Sequence, residues 1–296
     1  MTTQRDTFFQ TIGDAYKQGR KDLVVLTADM GAAALNEYKG SDFLINPGPC
    51  EQLVITMAAG LALQGAKPFC YGIAPFISLR AIEQIRVSVC SMDLPVTIVG
   101  VGSGLSYDTA GLTHHGTEDL STMRTIPNMN IVNISTIEMA KWYAKFSMEY
   151  KHPLYVRLDK KAYNQTFIPL YGWFTHNYGV VNRVNKNVAI ITTGVFTQYL
   201  LEQKSVLPKN SFILEVYRFP CEQKKLSTFL ESCAKIITVE EGYTTGGLGD
   251  YIASLGFKVT KIGLSTFCET QLRQHYWDKL LTEIKNELQG EKREGR

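Results

Sequence analysis

Three groups of residues in this chain could do chemistry. The first is Gly48-Pro49-Cys50-Glu51-Gln52, followed by Leu53, Val54, Ile55, Met57, Ala58, Ala59, Leu61, Ala62 and Leu63. A helix apolar all round is buried, so the spacing predicts a buried helix from 51 to about 65 with a carboxylate at its entrance. Such a carboxylate is costly unless something pairs with it. Its ordinary reading is a charge favoured by the helix dipole. Its functional reading is a group that shares a proton in a dry site. The second group is His114-His115, in a loop from Ser103 to His115 that also carries Tyr107, Asp108 and Thr113. A loop of that length in a compact domain is usually functional, and imidazoles there suit proton transfer. The third is Glu240-Glu241, then Gly246-Gly247-Leu248-Gly249. A glycine-rich turn into a helix can cradle phosphate. The spacing is neither GxGxxG nor a P-loop, so tight packing or a subunit contact is the stronger reading.

The elements that must position these groups alternate. A helix over 4–20 precedes a strand over 22–29, whose short continuous apolar run suits a parallel strand covered on both faces. Asp29 stands at its end, where open α/β sheets bind ligands. Further strands are predicted at 43–46, 67–73, 95–102, 129–134 and 154–158, and helices at 78–90, after residue 117, and at 136–150. Glu118, Asp119 and Arg124 read as helix-end charges and ion pairs. From Asp159 to Asn187 the rhythm breaks into an irregular stretch with room for one hairpin. It resumes with strands at 188–193, 211–217, 234–239 and 258–262. This is an α/β chain of two doubly wound domains, the second smaller. We set them at 1–165 and 187–296, with a linker at 166–186.

The 296 residues, 45% of them hydrophobic, are those of an ordinary globular protein. A net charge of +3 argues for neither nucleic acid nor membrane. The six cysteines, at 50, 70, 90, 221, 233 and 268, form no CxxC pair. They read as reduced thiols of a cytoplasmic protein. No apolar run reaches membrane-spanning length and the polar start carries no signal-peptide core.

Four pieces stand in a telling order: Gly-Pro-Cys-Glu51-Gln, the Phe76 to Arg86 segment, Gly111-Leu-Thr-His114-His115 with Glu118-Asp119, and Val239-Glu-Glu-Gly followed by Gly246-Gly-Leu-Gly. Together they resemble the C-terminal half of a transketolase, most of all the separately encoded C-terminal subunit of split transketolases. The resemblance covers nearly the whole chain. It implies a thiamine diphosphate pyrimidine-binding domain followed by the smaller C-terminal domain. It implies transfer of a two-carbon ketol unit from a ketose to an aldose. Glu51 corresponds to the glutamate that hydrogen-bonds the aminopyrimidine ring, and His114 to the histidine that assists proton transfers over the reacting carbon. An aromatic residue stacks on the pyrimidine in the family. Phe76 is the nearest candidate, although ungapped counting from the following helix places Ile77 there. Asp29 is a candidate for cofactor or subunit contact, and His115 stands behind His114.

The family's magnesium and diphosphate run, Gly-Asp-Gly ending in asparagine, is missing from this chain. The resemblance therefore implies that Mg2+ and the diphosphate are held by an N-terminal, α-type partner subunit, in an α2β2 assembly, and that this chain alone is inactive. The substrate side departs from ordinary transketolase. Ala110 stands where the family has an aspartate, with Asp108 two places earlier. Gly102 stands for a phosphate-holding histidine, and Lys160 for a phosphate-holding arginine, with Arg157 and Lys161 near. Lysine lacks the bidentate fork of arginine. These changes imply a modified sugar substrate. Competing readings are a 1-deoxyxylulose-5-phosphate synthase, a 2-oxoacid dehydrogenase E1 β subunit, and a non-catalytic partner subunit. A nicotinamide dehydrogenase is disfavoured, since no GxGxxG follows the first strand.

Overall fold

The computed structural model describes residues 3–161, 178–181, 187–267 and 272–294. Contacts divide the chain into two units, Met1–Tyr107 with Thr113–Thr166, and Asp108–Leu112 with Phe167–Arg296.

The first unit runs α1 (Gln4–Lys17), β1 (Leu23–Thr27), β2 (Leu44–Ile45), α2 (Glu51–Leu63), β3 (Lys67–Ile73), α3 (Ala74–Ser78), α4 (Ile82–Gln84), β4 (Thr97–Val101), α5 (Asp119–Arg124), β5 (Asn130–Asn133), α6 (Ile137–Glu149) and β6 (Leu154–Leu158). Its six strands lie in the order β5-β6-β4-β3-β1-β2, all parallel. β1, β3, β4 and β6 are buried along their whole length, which is why they read as continuous apolar runs. Thr3 and Thr136 cap α1 and α6, each accepting a backbone N–H from the first turn. α1 lays Phe8 and Phe9 on the sheet, against Phe69 at 6.3 Å and Tyr71 at 4.7 Å between ring centroids. Each such buried aromatic contributes about 1.5–3 kcal/mol.

Because every strand of this sheet points the same way, the loops after them share one edge. Asp29 follows β1, Glu51 follows β2, Phe76 follows β3, Tyr107 and His114 follow β4, and Lys160 follows β6. The chain steps to β2 on one side of β1 and returns to β3 on the other, so β1 and β3 flank a switch point of the kind that binds ligands.

The second unit comprises β7 (Tyr178–Val181), β8 (Val188–Thr192), α7 (Phe196–Glu202), β9 (Ser211–Val216), β10 (Arg218–Phe219), α8 (Gln223–Leu230), β11 (Lys235–Tyr243), α9 (Leu248–Ser254), β12 (Thr260–Leu264) and α10 (Arg273–Glu294). Its five-stranded sheet has the order β12-β11-β8-β9-β7. β7 is antiparallel at the edge and the other four are parallel.

Two elements depart from the sequence reading. The helix over 78–90 starts earlier, with Pro75 in the first turn of α3, and breaks before α4. It then widens into a π-type turn over Ile85–Cys90. β11 runs on through Glu240-Glu241-Gly242, past the end at Val239 read from the sequence. Its register against β12 shifts between Val239 and Tyr243, and such a shift re-aims side chains. Most of the anticipated linker, the possible hairpin within it and Cys268 lie outside the described residues. Of the other cysteines, Cys70, Cys90 and Cys221 are buried and all five are free thiols. Among the described residues no helix is long and apolar enough to cross a membrane.

Candidate active site

Glu51 is the first residue of α2 and is 3% exposed. Its Oε2 accepts from Arg80 Nη1 at 2.8 Å. Arg80 lies in the turn between α3 and α4, and its carbonyl in return accepts from Gln52 Nε2 at 3.2 Å. The two bonds clamp the entrance of α2 to that turn. The Arg80 guanidinium also lies 4.4 Å from the centre of the Phe76 ring, a cation–π contact. The Phe76 ring meets the His114 ring at 5.2 Å, edge to face. His114 in turn faces Tyr107 at 5.4 Å, and Lys160 Nζ stands 4.2 Å over the Tyr107 ring. Glu51, Arg80, Phe76, His114, Tyr107 and Lys160 therefore form one continuous row along the carboxyl edge of the first sheet.

The backbone holds that row in place. Ser106 Oγ donates to Asp159 Oδ1 at 2.8 Å and accepts from the Lys160 N–H at 3.0 Å, joining the loop after β4 to the end of β6. Thr113 Oγ1 lies 2.9 Å from His114 Nδ1. Burial raises the Tyr107 phenol above its ordinary range, with Asp159 adding to that and Arg5 opposing it. Tyr107 is thus protonated at neutral pH. Beside the row, Asn46 Oδ1 accepts from the N–H groups of Asp29 and Gly48, at 3.0 and 3.1 Å, and ties the end of β1 to the approach of α2. The Tyr71 hydroxyl donates to the Gly31 carbonyl at 3.1 Å.

The residues singled out from sequence divide in three. Glu51, Phe76, His114 and Lys160 are in the row. Asp29 is nearby and exposed, in the left-handed region with φ of 57°, and His115 is buried behind His114. Ile77 and Arg157 are turned into the core, and Asp108 belongs to the second unit. Ile77 is fully buried and packs on Gly72 of β3, which leaves the half-buried Phe76 as the ring that meets the site. Arg157 is turned inward on β6, 5% exposed. Its Nε and Nη2 grip both oxygens of Asp119 at 2.7 and 2.8 Å, and Nη2 also reaches the Gly116 carbonyl. Tyr155 donates to the same Asp119 at 2.6 Å. A guanidinium locked in that way is a structural tie rather than a free anion receptor. Asp108 belongs to the second unit, where its Oδ1 accepts the Arg273 N–H at 2.9 Å.

The glycine-rich turn is occupied by the protein itself. Glu240, 3% exposed, accepts from the Leu248 and Gly249 N–H groups at 2.9 and 3.0 Å. The amides that a phosphate would use are held by a carboxylate of this chain. Its neighbour Glu241 pairs with the buried Arg273.

Sequence reading missed Arg80, Gln52 and the role of Tyr107. A signal existed for Arg80, one helical turn after Phe76. For Tyr107 the signal went no further than its place in a long loop, since its seat depends on how the loop returns to the sheet.

Residues 4–166 match the family described as transketolase, pyrimidine binding domain. The apulose-4-phosphate transketolase of Phocaeicola vulgatus has a subunit that is 30% identical over 261 residues, covering 84% of this chain and 82% of that protein. The 1-deoxy-D-xylulose-5-phosphate synthase of Clostridium perfringens is 28% identical over 265 residues, covering 85% of this chain and only 42% of that longer protein. Among solved structures, a split gene transketolase, an inactive β4 tetramer, superposes with a TM-score of 0.78 at 23% identity. That match covers 96% of this chain and 94% of the other, and it shows a shared fold.

Proposed function

Because the chain belongs to the family of the transketolase pyrimidine-binding domain, we propose that it is the C-terminal, β-type subunit of a thiamine diphosphate-dependent transketolase. It moves a two-carbon ketol unit from a ketose to an aldose, in the cytoplasm. The observation that carries this reading is the pairing of a buried carboxylate, Glu51, with a half-open aromatic face, Phe76, on one edge of a parallel sheet. That donor set fits an aminopyrimidine, which needs an acceptor for a ring-nitrogen proton and a flat apolar surface. When bound, the cofactor supplies the carbanion chemistry that cleaves a carbon–carbon bond beside a carbonyl.

The chain's own residues do the rest. Glu51 holds and returns the proton at the pyrimidine ring nitrogen, in a site dry enough to make that sharing effective. Phe76 orients the ring. His114 moves a proton at the substrate oxygen. Lys160 receives the anionic end of the sugar as a point charge. Asp29, exposed at the end of β1, contacts the cofactor or the partner subunit, and the buried His115 supports His114. The diphosphate and Mg2+ belong to an N-terminal partner subunit, since this sequence lacks the Gly-Asp-Gly run. The active assembly is α2β2, with sites between unlike chains.

The sugar is a modified one. The Phocaeicola relative's name specifies apulose 4-phosphate, and Gly102, Ala110 and Lys160 all depart from the ordinary transketolase pattern. Co-purification with the candidate N-terminal subunit and titration with thiamine diphosphate and Mg2+ test the assembly. The pair binds and either chain alone does not. Tight binding by this chain alone overturns the split site. Xylulose 5-phosphate with ribose 5-phosphate performing as well as any other pair overturns the modified sugar. The match to a deoxyxylulose-phosphate synthase supports a second reading, and turnover with pyruvate as donor in place of a ketose would establish it.

A further inference from the structure

We propose that Tyr107 is a specificity-determining residue, whose ring forms the wall along which the carbon chain of a short sugar phosphate lies between His114 and Lys160. The inference rests on the proposed function in one respect, that the reacting carbon is at His114. Three observations carry it.

Tyr107 excludes any side chain at residue 102. A Cβ there would fall 2.2 Å from Tyr107 Cε2, and Gly102 has a φ of +96°, a left-handed backbone that L side chains rarely adopt. The ring is thus seated directly on the end of β4. An aromatic face takes the space there, and a face of that kind accepts C–H groups, not an anion.

Lys160 stands over the same ring, 4.2 Å from its centre, and is exposed. Among the described residues its ammonium has no carboxylate partner, although Asp159 is adjacent in sequence. The Asp159 carboxylate accepts from Ser106 and from the Lys161 N–H. A cation held by a ring, with no carboxylate on it among the described residues, suits a phosphate.

The spacing sets the ligand's length. Both the imidazole and the ammonium neighbour the one ring, at 5.4 and 4.2 Å from its centre. That is within the reach of a sugar phosphate of a few carbons passing along the ring.

The test is equilibrium binding to the complex of this chain with its N-terminal subunit, read by calorimetry with glycerol 3-phosphate and with glycerol. The wild type binds the phosphate ester at least tenfold more tightly. Tyr107→Leu lowers that affinity about tenfold, Tyr107→Phe keeps it within twofold, and Lys160→Gln removes the preference for phosphate. Wild-type affinity in Tyr107→Leu overturns the inference, as does equal weakness in Tyr107→Phe. If Tyr107→Leu does not fold, Lys160→Gln decides, and a phosphate preference it leaves intact overturns the inference. Sugar turnover is measured separately. No ketol transfer, with the binding pattern as stated, sinks the proposed function and leaves the wall standing. Ketol transfer with binding indifferent to Tyr107 does the reverse.

Discussion

Glu51 and Glu240 are both glutamates at the mouth of a helix, and both are 3% exposed. Glu240 sits on a strand and aims at the start of α9. Each of its oxygens accepts one backbone N–H. Glu51 sits on the helix itself. The one hydrogen-bond partner of its carboxylate among the described residues is Arg80, whose side chain is 47% exposed. The difference is what each carboxylate is held by. Backbone amides cannot leave without unravelling a helix, whereas an arginine on a solvated arm can swing away. Burial and a helix N-terminus therefore do not mark a site by themselves. Burial with a removable partner does, because it leaves an oxygen for a ligand.

The largest expected effect follows from that contrast. Glu51→Gln lowers kcat of the assembled enzyme by about 10²- to 10⁴-fold, the range for a lost acid–base group. The melting temperature of the complex holds or rises. A non-catalytic partner subunit would instead keep full turnover after this change. Next is Arg157→Leu, which strands Asp119 as a buried charge. It costs about 3–5 kcal/mol by denaturant unfolding, while Lys160→Gln on the next loop changes stability by under about 0.5 kcal/mol. Equal costs would erase the distinction between the tied guanidinium and the free ammonium. Glu240→Gln comes third. It weakens a cap made of two charge-assisted bonds, costs about 1–3 kcal/mol, and leaves kcat of the assembled enzyme unchanged. A loss of turnover comparable to that of Glu51→Gln would break the comparison.

The same contrast explains what the sequence disclosed. β3 and β6 fall where the sequence puts them, at 67–73 and 154–158, because buried parallel strands are unbroken apolar runs bounded by turns. Glu51 was legible because a lone carboxylate heads an apolar helix. Arg157 was misread because its partner is non-local. Tyr155 and Arg157 alternate onto one face of β6 and meet Asp119 at the start of α5, and nothing in the linear order pairs them. At the glycine-rich turn the sequence favoured tight packing over phosphate, and packing is what stands there. It assigned Glu240 no role, for a related reason. The strand carries on past the acidic pair, so the amides of the turn serve the first glutamate. Tyr107 was visible as a loop aromatic, yet its seat depends on Gly102 lying beneath it.

The finest test of the comparison is Gly247→Ala. Gly247 has φ of −79° and ψ of −153°, a conformation open to alanine, so backbone strain plays no part. What opposes the substitution is space. A Cβ at residue 247 would fall 2.0 Å from Glu240 Oε2 and 2.5 Å from the Tyr243 carbonyl. The added methyl group must push the carboxylate off the helix mouth, at a cost of about 1–3 kcal/mol. In a Glu240→Ala background the larger obstacle is gone and the carbonyl remains. The cost of Gly247→Ala then falls without vanishing, and the two substitutions couple by about 1 kcal/mol in a double-mutant cycle. Strict additivity would mean that the methyl group never meets the carboxylate. Glu240 would then be as free as Glu51, and a phosphate at this turn would again be open to it.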